Sequence, residues 1–174
     1  MKKLIFSSIA ILILSFSSIA QDIAPYIKIG ELNETIEQVS EKVINALNDN
    51  SFTVLGNYNP SNKKGLKVIA FTRTDLKNTV VKVTDRGALA AAFKVGLVEN
   101  NGKVTISYTN PDYILRAYLG NNYNTFKSTF QKFSGDLKIA FSKLGKDFTP
   151  FGGTVKADNL KKYHYKIMMP YFTD

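Results

Sequence analysis

The sequence predicts an α+β protein: a two-layer sandwich in which a mostly antiparallel sheet has its helices packed on one face. Residues 89–109 have the pattern of a β-hairpin, because two stretches of alternating apolar and polar residues flank Asn100-Asn101-Gly102, a turn sequence that accepts positive φ. Residues 125–144 have the pattern of a long amphipathic helix, because phenylalanine or leucine recurs there every three or four positions. A hairpin makes neighbouring strands antiparallel, and the helix has one apolar face to bury.

The chain before this hairpin begins with a strand and a helix. Residues 22–32 are predicted to form the first strand. Residues 34–47 are predicted to form a helix, since apolar residues recur at three- and four-residue spacing. Either Asn33 or Thr35 caps this helix, and Thr35 with Gln38 matches a capping box.

Two strands and a short helix follow. The Asn-Asp-Asn sequence at residues 48–50 is expected to end the first helix, because asparagine tolerates the left-handed conformation. Residues 52–58 and 66–72 are predicted strands, and the second is apolar on both faces, which predicts a central strand covered on both sides. Residues 75–83 favour a short helix, with a strand as the alternative because of their β-branched residues.

The second half adds a helix, a loop and a strand. Asn110 is expected to cap a helix over residues 111–119, because proline follows it at the first helical position. Residues 149–153 are predicted as a loop, and residues 161–172 as a last strand with alternating aromatic and polar side chains. We expect residues 21–174 to form one α+β domain.

The first twenty residues have the pattern of a secretory signal peptide. Lys2 and Lys3 precede a mostly apolar stretch over residues 4–16, and small residues lead up to Ala20. We therefore expect cleavage after Ala20 and a mature protein in the periplasm or outside the cell. An uncleaved N-terminal anchor is the alternative, although the apolar stretch is shorter than the ~20 residues of a membrane span.

Composition excludes several kinds of chemistry. The chain contains no cysteine and one histidine, so thiol catalysis is excluded and a metal or haem cofactor is not expected. The formal charge is +9, and removing Lys2 and Lys3 leaves +7. The lysines are scattered rather than clustered with aromatic residues, so a nucleic-acid partner is not expected.

Two segments are denser in polar and aromatic residues than packing requires. The first, residues 108–118, runs from the end of a strand into a capped helix, whose backbone N–H groups attract anions. The planar guanidinium of Arg116 suits a carboxylate or phosphate. The second, residues 162–172, combines tyrosines with the single histidine of the chain, and such side chains can line a pocket. In both segments ordinary packing is the alternative. The candidate ligand-binding residues are Asn110, Tyr113, Arg116, Tyr163, His164 and Tyr165.

These segments also carry a family resemblance. Tyr-Thr-Asn-Pro-x-Tyr at residues 108–113, Ala-Tyr at 117–118 and the Lys-Tyr-His-Tyr and Met-Pro-Tyr-Phe of residues 162–172 resemble the exported branch of the domain-of-unknown-function 302 (DUF302) family. The resemblance covers residues 35–174 and implies one two-layer domain with a β-α-β-β-β-β-α core. It implies no established activity and no catalytic residue. Because the sequence stops directly after an apolar strand, an exposed or partner-paired edge is expected there.

We therefore expect an exported, non-catalytic domain that binds a small ligand, with an anionic group facing Arg116, or an envelope partner. One alternative is a hydrolase or isomerase in which His164 or a tyrosine acts as the base, with His164 beside a carboxylate such as Asp85 or Asp112. Another is a structural module that forms oligomers, including a homodimer.

Overall fold

The computed structural model describes residues 22–84 and 86–162, without the side chains of residues 161 and 162. Its main sheet has six antiparallel strands in the order β3-β4-β5-β6-β2-β7. These strands are β2 (Tyr26–Leu32), β3 (Thr53–Tyr58), β4 (Leu66–Thr72), β5 (Phe93–Asn100), β6 (Lys103–Thr109) and β7 (Thr149–Phe151). A separate pair joins β1 (Asp22–Ile23) to β8 (Val155–Lys156).

Four α-helices accompany the sheet: α1 (Ile36–Asp49), α2 (Thr74–Val80), α3 (Pro111–Leu119) and α4 (Lys127–Phe141). The predicted α+β class with an antiparallel sheet is confirmed. None of the helices in the described part of the chain is long and apolar enough to span a membrane.

The core lies between one face of the sheet and the helices α1 and α4. The predicted apolar side of the long helix is buried there: Phe130, Phe133, Leu137 and Phe141 are at most 1% exposed. The helix itself begins at Lys127, because residues 120–126 form a 3-10 segment. Burial of such side chains is the main stabilising contribution, since each is worth about 1.5–3 kcal/mol.

The capping box predicted for α1 is present. The Thr35 hydroxyl accepts from the Gln38 backbone N–H at 3.3 Å, and the Gln38 side-chain oxygen accepts from the Thr35 backbone N–H at 3.1 Å. The other end differs from the prediction, because Ser51 (φ 65°) adopts the left-handed conformation rather than an asparagine. Asn50 instead donates its side-chain amide to the Ala46 carbonyl at 2.9 Å, which occupies one of the last carbonyls of the helix.

We predict that Thr35→Ala lowers the free energy of unfolding by about 1 kcal/mol, because it removes a side-chain acceptor from the first turn of α1. Urea unfolding followed by circular dichroism measures this change. The control is Ser128→Ala in the exposed first turn of α4, which we expect to stay within about 0.5 kcal/mol of the wild type. Equal effects of the two substitutions would contradict the role of the cap.

Several predicted elements differ in extent. The first predicted strand is divided at Ala24-Pro25 into β1 and β2, which belong to different sheets. α2 is a helix, as favoured, and ends at Val80. Residues 149–151, predicted as loop, form β7 because they pair with β2 at the sheet edge. Most of the strand predicted for residues 161–172 lies outside the described residues, and 161–162 belong to a 3-10 segment.

β4 has a strand on either side, but the helices cover only one of its faces. Ile69 and Phe71 point into the core and are fully buried. Val68 lies on the opposite face, where it is only partly buried. The prediction that both faces of β4 are covered is therefore wrong for the described part of the chain. The uncovered sheet face contains the groove described below.

Candidate functional site

Three of the six candidate residues lie at α3. Asn110 caps this helix: its side-chain oxygen accepts from the Asp112 backbone N–H at 3.1 Å, and its amide donates to the Ala24 carbonyl at 2.8 Å. Its own backbone N–H donates to the Pro25 carbonyl at 2.8 Å. Asn110 therefore caps α3, as the sequence predicts, and holds the start of the helix against the β1–β2 connection.

Tyr113 and Arg116 contact different neighbours. Tyr113 is 9% exposed and packs in a small apolar cluster with Ile23, Ala117 and Leu160. Arg116 donates from Nε to an Asp112 carboxylate oxygen at 3.0 Å. The contacts described for these two candidates therefore belong to different groups.

Arg116 instead forms a compact group with Asp112 and Tyr123. Its guanidinium lies 4.1 Å from the centre of the Tyr123 ring, and the Tyr123 hydroxyl donates to the second Asp112 oxygen. The group borders a small depression of about 200 Å³, which Asn121, Asn124 and Asp158 also line. Tyr123 was missed from the sequence, because nothing local marks a tyrosine eleven residues away as the partner of Asp112.

The other three candidates, Tyr163, His164 and Tyr165, lie outside the described residues, and so does Asp85. A pocket shared by all six candidates therefore stays a prediction. Asp112, the other carboxylate considered as a partner for His164, already accepts from Arg116 and Tyr123. A histidine base would have to compete with both donors for it.

Two buried tyrosines are poor bases. Burial raises the pKa of Tyr108 to about 12. Burial, together with the hydrogen bond to Asp112, raises the pKa of Tyr123 well above its ordinary value. Both hydroxyls therefore stay protonated near neutral pH and can donate hydrogen bonds.

Arg73 forms a second ion-pair cluster, directly before α2. It is 7% exposed and donates to Asp75 at 2.7 Å and to Asp136 at 2.7 Å. Its guanidinium also lies 5.0 Å from the ring centres of Phe52 and Phe133. These contacts occupy the guanidinium, which marks it as a structural link between α2 and α4. No group of three His, Asp or Glu residues within the described chain is placed to hold a metal ion.

A largely apolar groove lies on the uncovered sheet face, opposite α1 and α4. It has a volume of about 520 Å³, within the usual size of a small-molecule site. The strands β2, β4, β5 and β6 form its floor, and α3 and the 3-10 segment Gly87–Ala91 form its walls. Its lining includes Tyr26, Val68, Leu89, Lys94, Gly96, Ser107, Thr109, Ile114 and Tyr118.

Gly96 lies in the floor of this groove and adds no side chain to it. It lies in the middle of β5, opposite Val68 on one side and Ser107 on the other, and the register is regular through all three residues. It therefore marks no bulge. A glycine inside a strand often marks a place where a ligand or another backbone approaches closely.

Two side chains of α3 close one wall of this groove. Ile114 and Tyr118 are four residues apart, so they lie one above the other on the same side of the helix. They form a different stripe from Tyr113 and from Arg116. The sequence shows this spacing, but it does not show that the stripe lines the groove as well as packing against the core.

The groove has one charged side chain. Lys94 is exposed on β5 and pairs with no carboxylate among the described residues, and none of the described groove-lining residues is acidic. Elsewhere in the described chain, the lysines at 28, 42, 67 and 132 each have a carboxylate within 4.0 Å. The groove thus combines apolar walls with one available positive charge.

No protein-family model matches the chain, and no curated protein matches it in sequence. A solved structure does match: the crystal structure of an uncharacterized conserved protein DUF302 from Bacillus stearothermophilus. The TM-score is 0.54 at 12% sequence identity, and the match covers 68% of this chain and 94% of that chain. Identity this low is evidence of the fold alone. The chain is therefore similar in fold to a DUF302 protein, as the resemblance implied.

Proposed function

We propose that this protein is an exported, non-catalytic binding domain whose groove takes a small ligand with an aliphatic or aromatic body and one anionic group. Export rests on the signal pattern of residues 1–20, and membership of the exported DUF302 branch rests on the resemblance. The observation that carries the binding proposal is Gly96, which leaves the floor of the groove open in the centre of a regular sheet.

The chemistry of the lining supports this ligand class. Val68, Leu89 and Ile114 offer apolar contact, and Ser107 and Thr109 offer hydroxyl groups beside the floor. Apolar walls with a few polar groups are typical of small-molecule sites. Lys94 would attract a carboxylate, sulfonate or phosphate.

We predict that Gly96→Val abolishes binding of decanoate, a probe with an aliphatic body and one carboxylate, measured by isothermal titration calorimetry. A Cβ at this position meets the Ser107 hydroxyl oxygen at 3.5 Å, which is an ordinary contact, so the valine fills the groove without displacing the backbone. A β-branched residue also suits a strand. The urea midpoint should therefore not fall. Unchanged decanoate affinity in this variant would contradict the location of the site.

We predict that Lys94→Gln weakens decanoate binding about threefold to fivefold, since an exposed charge pair is worth up to about 1 kcal/mol. Decanol, which has the same chain without the charge, should bind the variant and the wild type alike. Lys127→Gln is the control, because Lys127 is an exposed lysine at the start of α4 in the opposite layer. A loss of decanoate affinity in both variants would indicate a general charge effect and contradict the role of Lys94.

A further inference from the structure

We propose that the body of the ligand is an aromatic ring that stacks on Tyr26 while its anionic group faces Lys94, so that the groove selects aryl carboxylates. This inference rests on the proposed function, because it names the ligand class of the same groove. Three observations support it: the register of the strands, the contacts of the Tyr26 ring and the exposure of that residue.

Lys94 and Tyr26 lie in one row across three strands. The register of β5 and β6, continued by one residue, places Lys94 opposite Thr109, whose hydroxyl donates to the Lys94 carbonyl at 3.4 Å. Thr109 is in turn paired with Tyr26 on β2, and all three residues line the groove. Because neighbouring strands lie about 4.8 Å apart, the backbones of Lys94 and Tyr26 are about 10 Å apart. One small molecule with a ring and a carboxylate can cover this span.

The Tyr26 ring is held by contacts beside the sheet edge. Its centre lies 5.5 Å from the ring centre of Phe151 on β7, the strand paired with β2. The ring also packs over Gly152, where a Cβ would come within 2.9 Å of it. Gly152 has φ 93°, in the left-handed region that favours glycine. These contacts restrict the ring, so less side-chain entropy is lost when a ligand contacts it.

Tyr26 keeps enough accessible surface to bind a ring, because it is 46% exposed where it lines the groove. The attraction between two aromatic rings, beyond the apolar area that they bury, corresponds to a gain in affinity of about twofold to tenfold. A saturated ring of the same size gains only from the burial of apolar area. The groove should therefore distinguish a flat aromatic ring from a saturated ring.

Two carboxylates that differ only in the saturation of the ring test this inference. Phenylpropanoate and cyclohexylpropanoate have the same carbon skeleton and the same carboxylate, and only the first is aromatic. We expect isothermal titration calorimetry to show that the protein binds phenylpropanoate about twofold to tenfold more tightly. Equal affinities, or tighter binding of cyclohexylpropanoate, would overturn the inference, since burial of apolar area alone favours the saturated ring at least as much.

Variants at Tyr26 test whether this residue is responsible for the preference. Tyr26→Leu should bring the ratio of the two affinities to about one, and Tyr26→Phe should keep the preference because it keeps the ring. The control is Tyr58→Leu, because Tyr58 on β3 of the same sheet is 49% exposed and is not among the residues that line the groove. Each variant is compared with itself on two ligands, so a change in stability does not alter the ratio. A preference that survives Tyr26→Leu, or that Tyr58→Leu also abolishes, would contradict the role of Tyr26.

Decanoate separates this inference from the proposed function. If decanoate binds and the protein does not prefer phenylpropanoate to cyclohexylpropanoate, the aromatic class is wrong and the groove still takes an apolar anion. If the protein prefers phenylpropanoate and does not bind decanoate, the inference holds and the groove excludes aliphatic bodies. If none of the three carboxylates binds, the proposed function is wrong and the inference fails with it.

Discussion

Replacing Phe133 with alanine is expected to lower the free energy of unfolding by about 3–5 kcal/mol, which is a large part of the ~5–15 kcal/mol that stabilises a typical domain. Phe133 is fully buried on α4. Its ring centre lies 5.5 Å from that of Phe52 and 5.2 Å from that of Phe93, so it joins the helix to the sheet. Truncation removes both ring contacts and leaves a cavity between the two layers.

Urea unfolding followed by far-ultraviolet circular dichroism measures this effect, and a thermal melt should show a midpoint lower by about 10 °C or more. The control is Ile139→Ala on the same helix, where the side chain is 65% exposed. It shares the helical environment without the burial, so we expect a change within about 0.5 kcal/mol. Comparable losses in the two variants would mean that the phenylalanine side of α4 does not form the core.

The parts of the fold that the sequence predicted correctly depend on short-range patterns. The periodicity that includes Phe133, Leu137 and Phe141 predicts a buried helix face whatever the neighbouring elements are. The capping box at Thr35 is likewise decided within four residues. β7 was missed because three residues carry little pattern, and its strand conformation depends on pairing with β2. The division at Pro25 was missed because two short strands enter different sheets, which is a tertiary outcome.

The groove was harder to predict than the residues that line it. Lys94 and Gly96 alternate with buried residues of β5, so one face of the strand is polar or small at these positions. This pattern does not indicate that α3 stands beside that face, because the helix position depends on contacts such as Asn110 with Ala24 across 86 residues. Arg116 was correctly placed on α3, but its pairing with Asp112 and Tyr123 depends on the path of the chain after the helix.

The second large effect is expected at Arg73, because its charge is buried between two rings. We predict that Arg73→Met, which keeps an unbranched apolar side chain of similar length, lowers the free energy of unfolding by about 2–4 kcal/mol. Removing one partner of a buried pair commonly costs about 3–5 kcal/mol. The cost is smaller here because the side chains of Asp75 and Asp136 are 45% and 30% exposed and can be rehydrated.

Acid titration separates the lost charge from the lost packing. Burial opposes ionisation of Asp75, but the hydrogen bonds and charge of Arg73 outweigh it and hold the pKa of Asp75 below its ordinary value. Hydrogen bonds from Lys132 and then Arg73 lower the pKa of Asp136. A carboxyl group with a lowered folded-state pKa stabilises the protein above its unfolded-state pKa of about 3.9, and this stabilisation is lost as the pH falls through the folded value.

The wild type should therefore lose stability between about pH 5 and pH 3, and Arg73→Met should lose less over the same interval, because the arginine no longer favours the ionised carboxylates. Urea midpoints measured across this range give the comparison. Lys28→Met is the control, since the Lys28–Glu31 pair is exposed and such pairs are worth about 0–1 kcal/mol. If Arg73→Met is destabilised but keeps the acid dependence of the wild type, Arg73 stabilises the fold through its contacts with Phe52 and Phe133 rather than through its ion pairs.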